Sequence, residues 1–418
     1  MQTTRNSRAS GSFKTVRVAL AITGSVIATA AVGQTIGITD TTVKIGTTAS
    51  ISGATAAVGM VADGMDLKFK AVNAAGGIKM ADGKTRTVEF IITDDANEPP
   101  RALANTRRLV EQNQIFALSG VVGTLQNQAI RPYIQQKAVP SLFVYSGVYE
   151  FGMEKQNPMS TPLVPSFTTE AAIYAEYLKR NKPNAKVAIL YLNTDFGQNF
   201  VAGFKAAIVG STVQLTEVQP HNYSDPTVDT QLTNLKASGA DTLLVATVPK
   251  PAAQSVRFGV ESGWKPLVMI TYAGSSAVAL KPAGVENLQG VITGQFMKPV
   301  ESDAYANDAG VKRYFADYAA AKPRFDRGDT LGQMGYTIAE ATVAVLQTMK
   351  QPTREALLEA ARNMHDIELS LLLPGIKLNT KGTEDPFPIE GMQLFVFKGE
   401  RYEPAGDVIS YEGKTPKL

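Results

Sequence analysis

The sequence predicts an α/β protein of two similar lobes, each a doubly wound open sheet with helices on both faces. Short β-rich runs alternate with helical patterns over the first part of the chain. The same alternation starts afresh near residue 186, and a largely helical stretch follows residue 295. Alternation of this kind is typical of parallel sheets covered by helices. With 418 residues, the chain is long enough for two or three domains.

The first alternating region predicts four strands and three helices. Apolar residues recur at every second position of the first strand, and a Pro-Pro pair precedes the second helix. Two glycines follow the first helix, as is typical of a helix C-terminus. The predicted strands are Val43–Thr47, Val88–Ile92, Ile115–Leu118 and Ser141–Val144, and the predicted helices are Met65–Asn73, Arg101–Gln112 and Leu125–Gln136.

The second region repeats this arrangement and is followed by further helices. Its predicted strands are Lys186–Tyr191, Val213–Val218, Asp241–Ala246 and Leu267–Ile270, with helices at Phe200–Ile208, Thr230–Ala237 and Ala252–Ser262. Later helices are predicted at Ala309–Ala321, Thr330–Met349 and Thr353–Asn363, and a late strand at Gln393–Phe397. Ligands of open α/β sheets bind beyond the carboxyl ends of the strands. We therefore expect the site in the loops that follow these strands.

Residues 1–33 predict a secretory signal. Four basic residues precede an apolar run from Val18 to Ala31, and small residues then allow cleavage between Gly33 and Gln34. The run is too short and too rich in Gly and Thr to predict a membrane anchor. Removing the four basic residues from the formal charge of +3 leaves −1. The exported chain therefore has no basic stripe that would suggest a nucleic-acid partner.

The supply of reactive side chains argues against an enzyme. The chain has no cysteine, and its two histidines, His221 and His365, stand in no metal-binding spacing. We expect both in surface or loop positions. No Gly-x-Ser-x-Gly or Walker-type motif occurs, so a hydrolase or nucleotide-dependent oxidoreductase is poorly supported. The sequence therefore predicts no catalytic residue, no metal and no cofactor.

An acidic pair and the single tryptophan each have two interpretations. Asp94 and Asp95 follow the second strand, as an acid–base or metal pair would. Neighbouring positions on an extended segment point to opposite sides, however, which favours a turn and helix-cap role. Trp264 is either a stacking platform for a ligand or packing at a helix end, and its Ser-Gly-Trp context favours packing.

Several loops at the predicted strand ends are suited to binding a ligand. Gly123 and Thr124 lead straight into a helix, with Thr124 in the expected N-cap position. Free N–H groups at a helix start favour an anion such as a carboxylate. The loop after the fourth strand carries Tyr145, Ser146 and Gly147. In the second lobe, Phe196 follows the first strand and offers a flat apolar face.

Several spaced motifs together resemble the branched-chain amino-acid-binding family of periplasmic binding proteins. The resemblance extends from about residue 42 to residue 408. It implies two lobes joined by three crossovers, a cleft that closes on its ligand without catalysis, and an inner-membrane permease of an ABC-type importer as partner. The motifs are Ile51-Ser52-Gly53, Asn73-Ala74-Ala75-Gly76-Gly77-Ile78, Asp94-Asp95 with Pro99, Gly123-Thr124, Thr194-Asp195-Phe196-Gly197 and Ser262-Gly263-Trp264.

The resemblance also implies roles for individual residues. The family's carboxylate-binding loop matches Gly123 and Thr124, and its neighbouring hydrogen-bonding loop matches Ser146 and Gly147. The aromatic cover from the second lobe matches Phe196, and a further contact matches Thr247 or Val248. Amino-acid binders have an acid where this chain has Tyr272, with no carboxylate nearby in the sequence. A small organic acid without an α-amino group, including an aromatic one, therefore fits better than leucine.

The resemblance also implies how the chain is divided into lobes. We expect lobe 1 at residues 40–163 and 295–374, and lobe 2 at residues 164–294 and 375–418, in a periplasmic monomer. A sensor of the same fold that feeds a signalling partner stays open as the alternative to a transport protein. The fold alone does not separate these two functions.

Overall fold

The computed structural model describes residues 35–53 and 55–418, so the predicted export segment lies outside the described residues. Over this range the chain forms two open sheets, as the sequence predicts. The first sheet contains β1 (Thr42–Ala49), β2 (Ile78–Lys79), β3 (Thr85–Asp94), β4 (Ala117–Ser119), β5 (Ser141–Val144) and β6 (Ser160–Pro162). Their order across the sheet is β2-β3-β1-β4-β5-β6. Only β2 runs antiparallel to its neighbour.

Three helices connect the strands of the first sheet: α1 (Met60–Ala74), α2 (Pro99–Glu111) and α3 (Thr124–Gln136). Because β1, β3, β4 and β5 are parallel, their carboxyl ends meet at one edge. The start of α3 lies at this edge, directly after β4. The predicted loops after the third and fourth strands are therefore neighbours in space.

The second sheet has the same parallel arrangement, except for antiparallel strands at one edge. It contains β7 (Lys186–Leu192), β8 (Gln214–His221), β9 (Thr242–Ala246), β10 (Leu267–Ile270), β11 (Ile292–Gln295), β12 (Gly391–Lys398) and β13 (Arg401–Ser410). The order is β13-β12-β11-β10-β9-β7-β8, and β12 and β13 are antiparallel. Its helices are α4 (Phe167–Asn181), α5 (Asp195–Ala207), α6 (Asp229–Ala237), α7 (Pro249–Glu261) and the short α8 (Ala277–Leu280).

The remaining helices, α9 (Ala309–Ala321), α10 (Thr330–Thr348) and α11 (Arg354–Ala361), return to the first sheet. Helix α10 crosses α1 in backbone contact. A Cβ on Gly64 would lie 1.9 Å from the carbonyl oxygen of Gly332, and one on Gly335 would lie 1.9 Å from that of Val61. The chain thus passes between the sheets three times, after β6, after β11 and before β12.

The sequence prediction missed helices α4 and α8 and several strands. Helix α4 is buried on nearly every side from Phe167 to Ala175, so it lacks the apolar stripe that marks a surface helix. Strands β2 and β6 have only two and three residues, too few for a detectable alternation. Strand β11 was also not predicted. Strand β13 was not predicted because Pro404 and Gly406 interrupt its alternating pattern. The limits of the two lobes stay a prediction.

Candidate functional site

A cavity of about 530 Å³ lies where loops of both sheets face each other. Its walls include the start of α3, the loop after β5, the start of α7, the segment after β10 and the start of α10. The volume is within the range of small-molecule sites in proteins. Seven of the eight predicted site residues line it: Gly123, Thr124, Tyr145, Ser146, Phe196, Val248 and Tyr272.

The wall formed by the first sheet offers backbone and hydroxyl groups beside the ring of Tyr145. Gly123 has φ of 96°, and a Cβ there would lie 2.2 Å from Oε1 of Gln126, so this turn requires glycine. The side-chain amide of Asn127 donates to the carbonyls of Val121 and Gly123 at 2.9 and 2.8 Å, which fixes the loop. The first N–H groups of α3 have no partner within the helix and face the cavity end.

Thr124 has a different local role from the predicted one. The N-cap residue of α3 is Gly123, and Thr124 is the first residue of the helix, without a capping hydrogen bond. Its hydroxyl instead shares a hydrogen bond of 2.9 Å with the hydroxyl of Ser146. The N-cap prediction is therefore wrong. The two hydroxyls form one polar pair at the cavity wall.

Gly147, the eighth predicted residue, does not line the cavity. It lies behind the wall, where a Cβ would be 2.6 Å from the carbonyl oxygen of Pro165 and 2.9 Å from the hydroxyl of Tyr272. Its backbone carbonyl accepts the N–H of Phe167 at 2.7 Å. Gly147 therefore allows the two walls to approach each other.

The wall formed by the second sheet is largely aromatic. The rings of Phe167 and Phe196 lie 4.1 Å apart between centroids, and Phe167 stacks on Tyr272 at 5.9 Å. Phe296 meets Tyr272 edge to face at 5.5 Å. The pKa of the Tyr272 hydroxyl is raised well above its ordinary value, chiefly by burial. Phe167 was missed at the sequence level because its helix was missed.

Helix α7 adds two cations, Lys250 and Arg257, to the cavity lining. Pro249, Lys250, Ala253, Gln254 and Arg257 line the cavity at the spacing of one helix face. This stripe is about 12 Å long at 1.5 Å per residue. Lys250 and Arg257 are exposed, and Arg257 lies 3.7 Å from Glu261. The sequence prediction missed both cations.

Acids are missing from the cavity wall in the part of the chain that the structure describes. One carboxylate lies directly behind it, however. Glu170 in α4 is fully buried and accepts the backbone N–H of Tyr272 at 2.7 Å. The absence of a carboxylate near Tyr272 therefore holds along the sequence but not in space. Burial raises the pKa of Glu170 to about 8.

Thr247 and Val248, the two residues predicted for a further ligand contact, have different surroundings. Val248 lines the cavity, whereas Thr247 is buried behind it. The hydroxyl of Thr247 lies 2.6 Å from Nε2 of His221, and Nδ1 of that ring lies 3.2 Å from the carbonyl oxygen of Asn222. His221 is 1% exposed, so its predicted surface or loop position is wrong, while His365 is exposed. Burial lowers the pKa of His221 and favours the neutral ring.

Comparison with known proteins decides the family. The model of the periplasmic binding protein family matches residues 42–400. The chain belongs to the periplasmic binding protein family.

This periplasmic binding protein is similar in sequence to one group of curated proteins and in structure to several solved proteins. Over 255 residues it is 28% identical to the Leu/Ile/Val-binding protein homolog 8 of Brucella abortus. The matched region covers 57% of this chain and 60% of that relative. A Thermus thermophilus branched chain amino acid ABC transporter structure with bound valine has a TM-score of 0.76 at 16% identity, covering 88% and 96% of the two chains. A Thermomonospora curvata fatty acid ABC transporter substrate-binding protein has 0.74 at 20% identity, covering 91% and 96%.

The acidic pair of this periplasmic binding protein shapes a turn. Asp94 accepts the backbone N–H groups of Ile51 and Ser52, and donation by the Ser52 hydroxyl at 2.5 Å contributes most to holding its pKa below the usual range. Asp95 accepts the hydroxyl of Thr48 and the N–H of Asn97, both at 2.9 Å. The two carboxylates have separate partners, as the turn interpretation predicts. Neither caps α2, whose N-cap residue is Glu98.

Trp264 packs behind α7, as the helix-end interpretation predicts. Its indole N–H donates to the carbonyl of Ala240 at 3.0 Å, and the side chain does not line the cavity.

None of the helices within residues 35–53 and 55–418 combines the length and apolar character that a membrane crossing needs.

Proposed function

We propose that this periplasmic binding protein captures a small organic carboxylate without an α-ammonium group and delivers it to the permease of an ABC-type importer. The supporting observation is the charge of the cavity wall. Thr124, Ser146 and the start of α3 offer hydrogen-bond donors, Lys250 and Arg257 add positive charge, and no acid among the described residues lines the cavity. This combination is suited to an anion.

The aromatic wall supports an apolar or aromatic body for this ligand. Phe167, Phe196 and Tyr272 present ring surfaces, and Met297 and Met334 extend the apolar lining. An ammonium group enclosed here would have no carboxylate partner in the wall, and burying an unpaired charge is costly. The fold itself does not choose the ligand, since structural neighbours of similar TM-score are named for valine and for fatty acid.

Matched ligand pairs test this ligand class. Leucine differs from 4-methylpentanoate, and phenylalanine from 3-phenylpropanoate, only by the α-ammonium group. We expect calorimetry to find each des-amino acid bound at least tenfold more tightly than its partner. Tighter binding of leucine and phenylalanine would overturn the proposed class. Mass spectrometry of the ligand that co-purifies gives an independent identification.

We also propose that the lobes, with the limits 40–163 and 295–374 for one and 164–294 and 375–418 for the other, close on the ligand. Closure gives the permease a conformation that differs from the empty protein, because binding favours the closed state. Small-angle scattering of a monomer should show a smaller radius of gyration with bound ligand, and the ligand should be recovered unchanged. Tight binding without compaction would contradict this mechanism.

Export is the remaining part of the proposal and rests on the sequence of residues 1–34. N-terminal sequencing of the periplasmic protein should begin within a few residues of Gln34, because the basic start, apolar run and small-residue exit form a signal. An intact N-terminus retained in the cytoplasmic fraction would contradict it.

A further inference from the structure

The hydroxyl of Tyr174 replaces a ladder hydrogen bond at the end of the second sheet. Its oxygen lies 2.7 Å from the carbonyl oxygen of Ile270 at the end of β10 and 2.7 Å from the backbone nitrogen of Gly294 in β11. A carbonyl oxygen only accepts and a backbone N–H only donates. The Tyr174 oxygen therefore accepts from Gly294, and its single hydrogen has two acceptors within reach, the carbonyl oxygen of Ile270 and Oε1 of Glu170.

Glu170 provides the third contact of this hydroxyl. Its Oε1 lies 2.9 Å from the Tyr174 oxygen and accepts the N–H of Tyr272 at 2.7 Å. The Tyr174 hydrogen can be donated to Oε1 of Glu170 or to the carbonyl oxygen of Ile270, but it cannot serve both acceptors fully. An ionised Glu170 would therefore compete with Ile270 for one hydrogen. This shortage of donors favours the carboxylic acid.

The surroundings of Glu170 lead to the same result. The side chain is fully buried, and its Oε2 has no hydrogen-bond partner. Within the described residues no lysine, arginine or histidine forms an ion pair with it, and burial raises its pKa to about 8. The titratable groups that face it are the phenols of Tyr174 and Tyr272, whose pKa values are raised well above normal, chiefly by burial. Both phenols therefore stay neutral where Glu170 titrates.

We propose that Glu170 acts as an un-ionised carboxylic acid that positions Tyr272 in the cavity wall, and that loss of its proton weakens ligand binding. The link is short: Glu170 holds the backbone N–H of Tyr272, and Phe167, three residues earlier in α4, stacks on the ring of Tyr272. A charge at Glu170 would disturb the end of β10, β11 and this aromatic wall together. The effect on binding rests on the proposed function of the cavity.

The direction of the pH dependence follows from linkage. The pKa of Glu170 is higher in the folded than in the unfolded chain, so the folded protein binds more protons between the two values. The stability that this group contributes is complete below its unfolded pKa. It falls as the pH rises to about 8, and above this value no further change comes from this group.

Urea unfolding of the ligand-free protein between pH 5 and 9.5 tests the protonation. Relative to Glu170→Gln, the wild-type midpoint should fall from pH 5 to about 8 and then stay parallel. Glu390→Gln is the matched control, because Glu390 is another buried glutamate whose pKa burial raises to about 7. This control should retain the part of the slope that Glu170→Gln removes. Equal slopes in wild type and Glu170→Gln would overturn the proposal.

An infrared measurement covers the case in which Glu170→Gln does not fold. In Glu390→Gln, the carbonyl band of a protonated carboxylic acid should persist at pH 7.5 and disappear by pH 9.5. A spectrum without this band at pH 7.5 would overturn the proposal, because the variant retains Glu170.

Binding of 3-phenylpropanoate tests the positioning role. Its dissociation constant should rise about tenfold per pH unit above 8 in the wild type, as the competent fraction falls, and stay level in Glu170→Gln. A level profile in both proteins would contradict the positioning role. If this probe does not bind at any pH, the proposed ligand class fails, while the unfolding and infrared results decide the protonation separately.

Discussion

The two walls of the cavity offer different chemical groups. The wall of the first sheet offers the hydroxyls of Thr124 and Ser146 and the N–H groups at the start of α3, all held by short local contacts. The wall of the second sheet offers rings that are also part of the hydrophobic core, such as Phe167 and Phe196. The first wall is thus suited to a charged end of the ligand, and the second to its body.

Because of this difference, we expect substitutions on the two walls to differ in how they change ligand affinity and the free energy of unfolding. A hydroxyl at the first wall contacts few core atoms, so its removal should change affinity more than stability. A ring at the second wall fills core volume, so its removal should change both. Four variants test that contrast, one on each wall and two on the exposed cations of α7.

Phe167→Ala should have the largest effect. The ring is 4% exposed between Phe196 and Tyr272, and loss of a buried phenylalanine costs about 3–5 kcal/mol of unfolding free energy. Urea unfolding measures this loss. Leu125→Ala is the control, because Leu125 is 39% exposed, and its effect should stay within about 0.5 kcal/mol. A loss below about 1 kcal/mol for Phe167→Ala would show that this wall is not part of the core.

Thr124→Ala should affect binding with little change in stability. Removing a hydrogen bond to a charged group costs about 1.5–3 kcal/mol, which corresponds to roughly ten- to hundredfold in affinity. Calorimetry with 3-phenylpropanoate measures the change. Thr233→Ala, on an exposed position of α6, is the matched control and should leave the affinity unchanged. Equal affinities for the two variants would remove Thr124 from the site.

Lys250→Gln and Arg257→Gln should have the smallest effect. Both cations are exposed, so each contributes about 0.2–1 kcal/mol to anion affinity at low salt, up to roughly fivefold. The difference from wild type should shrink in concentrated salt, since screening weakens exposed charges. Lys265→Gln is the control, as Lys265 is exposed outside the cavity. A loss that is independent of salt would point to direct contact instead of a field at the mouth.

The position of Gly123 and Thr124 between a strand and a helix could be predicted because its geometry is local. Gly123 and Thr124 follow a strand and open a helix, and a chain segment of about ten residues determines this arrangement. The differences concern the N-cap, which is Gly123, and Gly147, which lies behind the wall. The two-sheet fold was equally accessible, since alternating strand and helix patterns extend over most of the chain.

The second wall was only partly predictable because distant segments assemble it. Phe167 and Glu170 lie in a helix buried on nearly all sides, which gives no amphipathic signal. His221 is buried by its contact with Thr247, 26 residues later. Lys250 belongs to the mouth only because α7 faces the cavity, and no local pattern distinguishes such a residue from an ordinary exposed lysine.

The position of Trp264 gives the protein a built-in fluorescent reporter of unfolding. It is the only tryptophan in the chain, and its indole is fixed to Ala240 outside the cavity. Emission excited at the indole band should shift when the second sheet unfolds and exposes the ring to water. A ligand that enters the cavity makes no contact with this ring. Optical denaturation curves can therefore be recorded with ligand present, without a direct quenching signal from the occupied site.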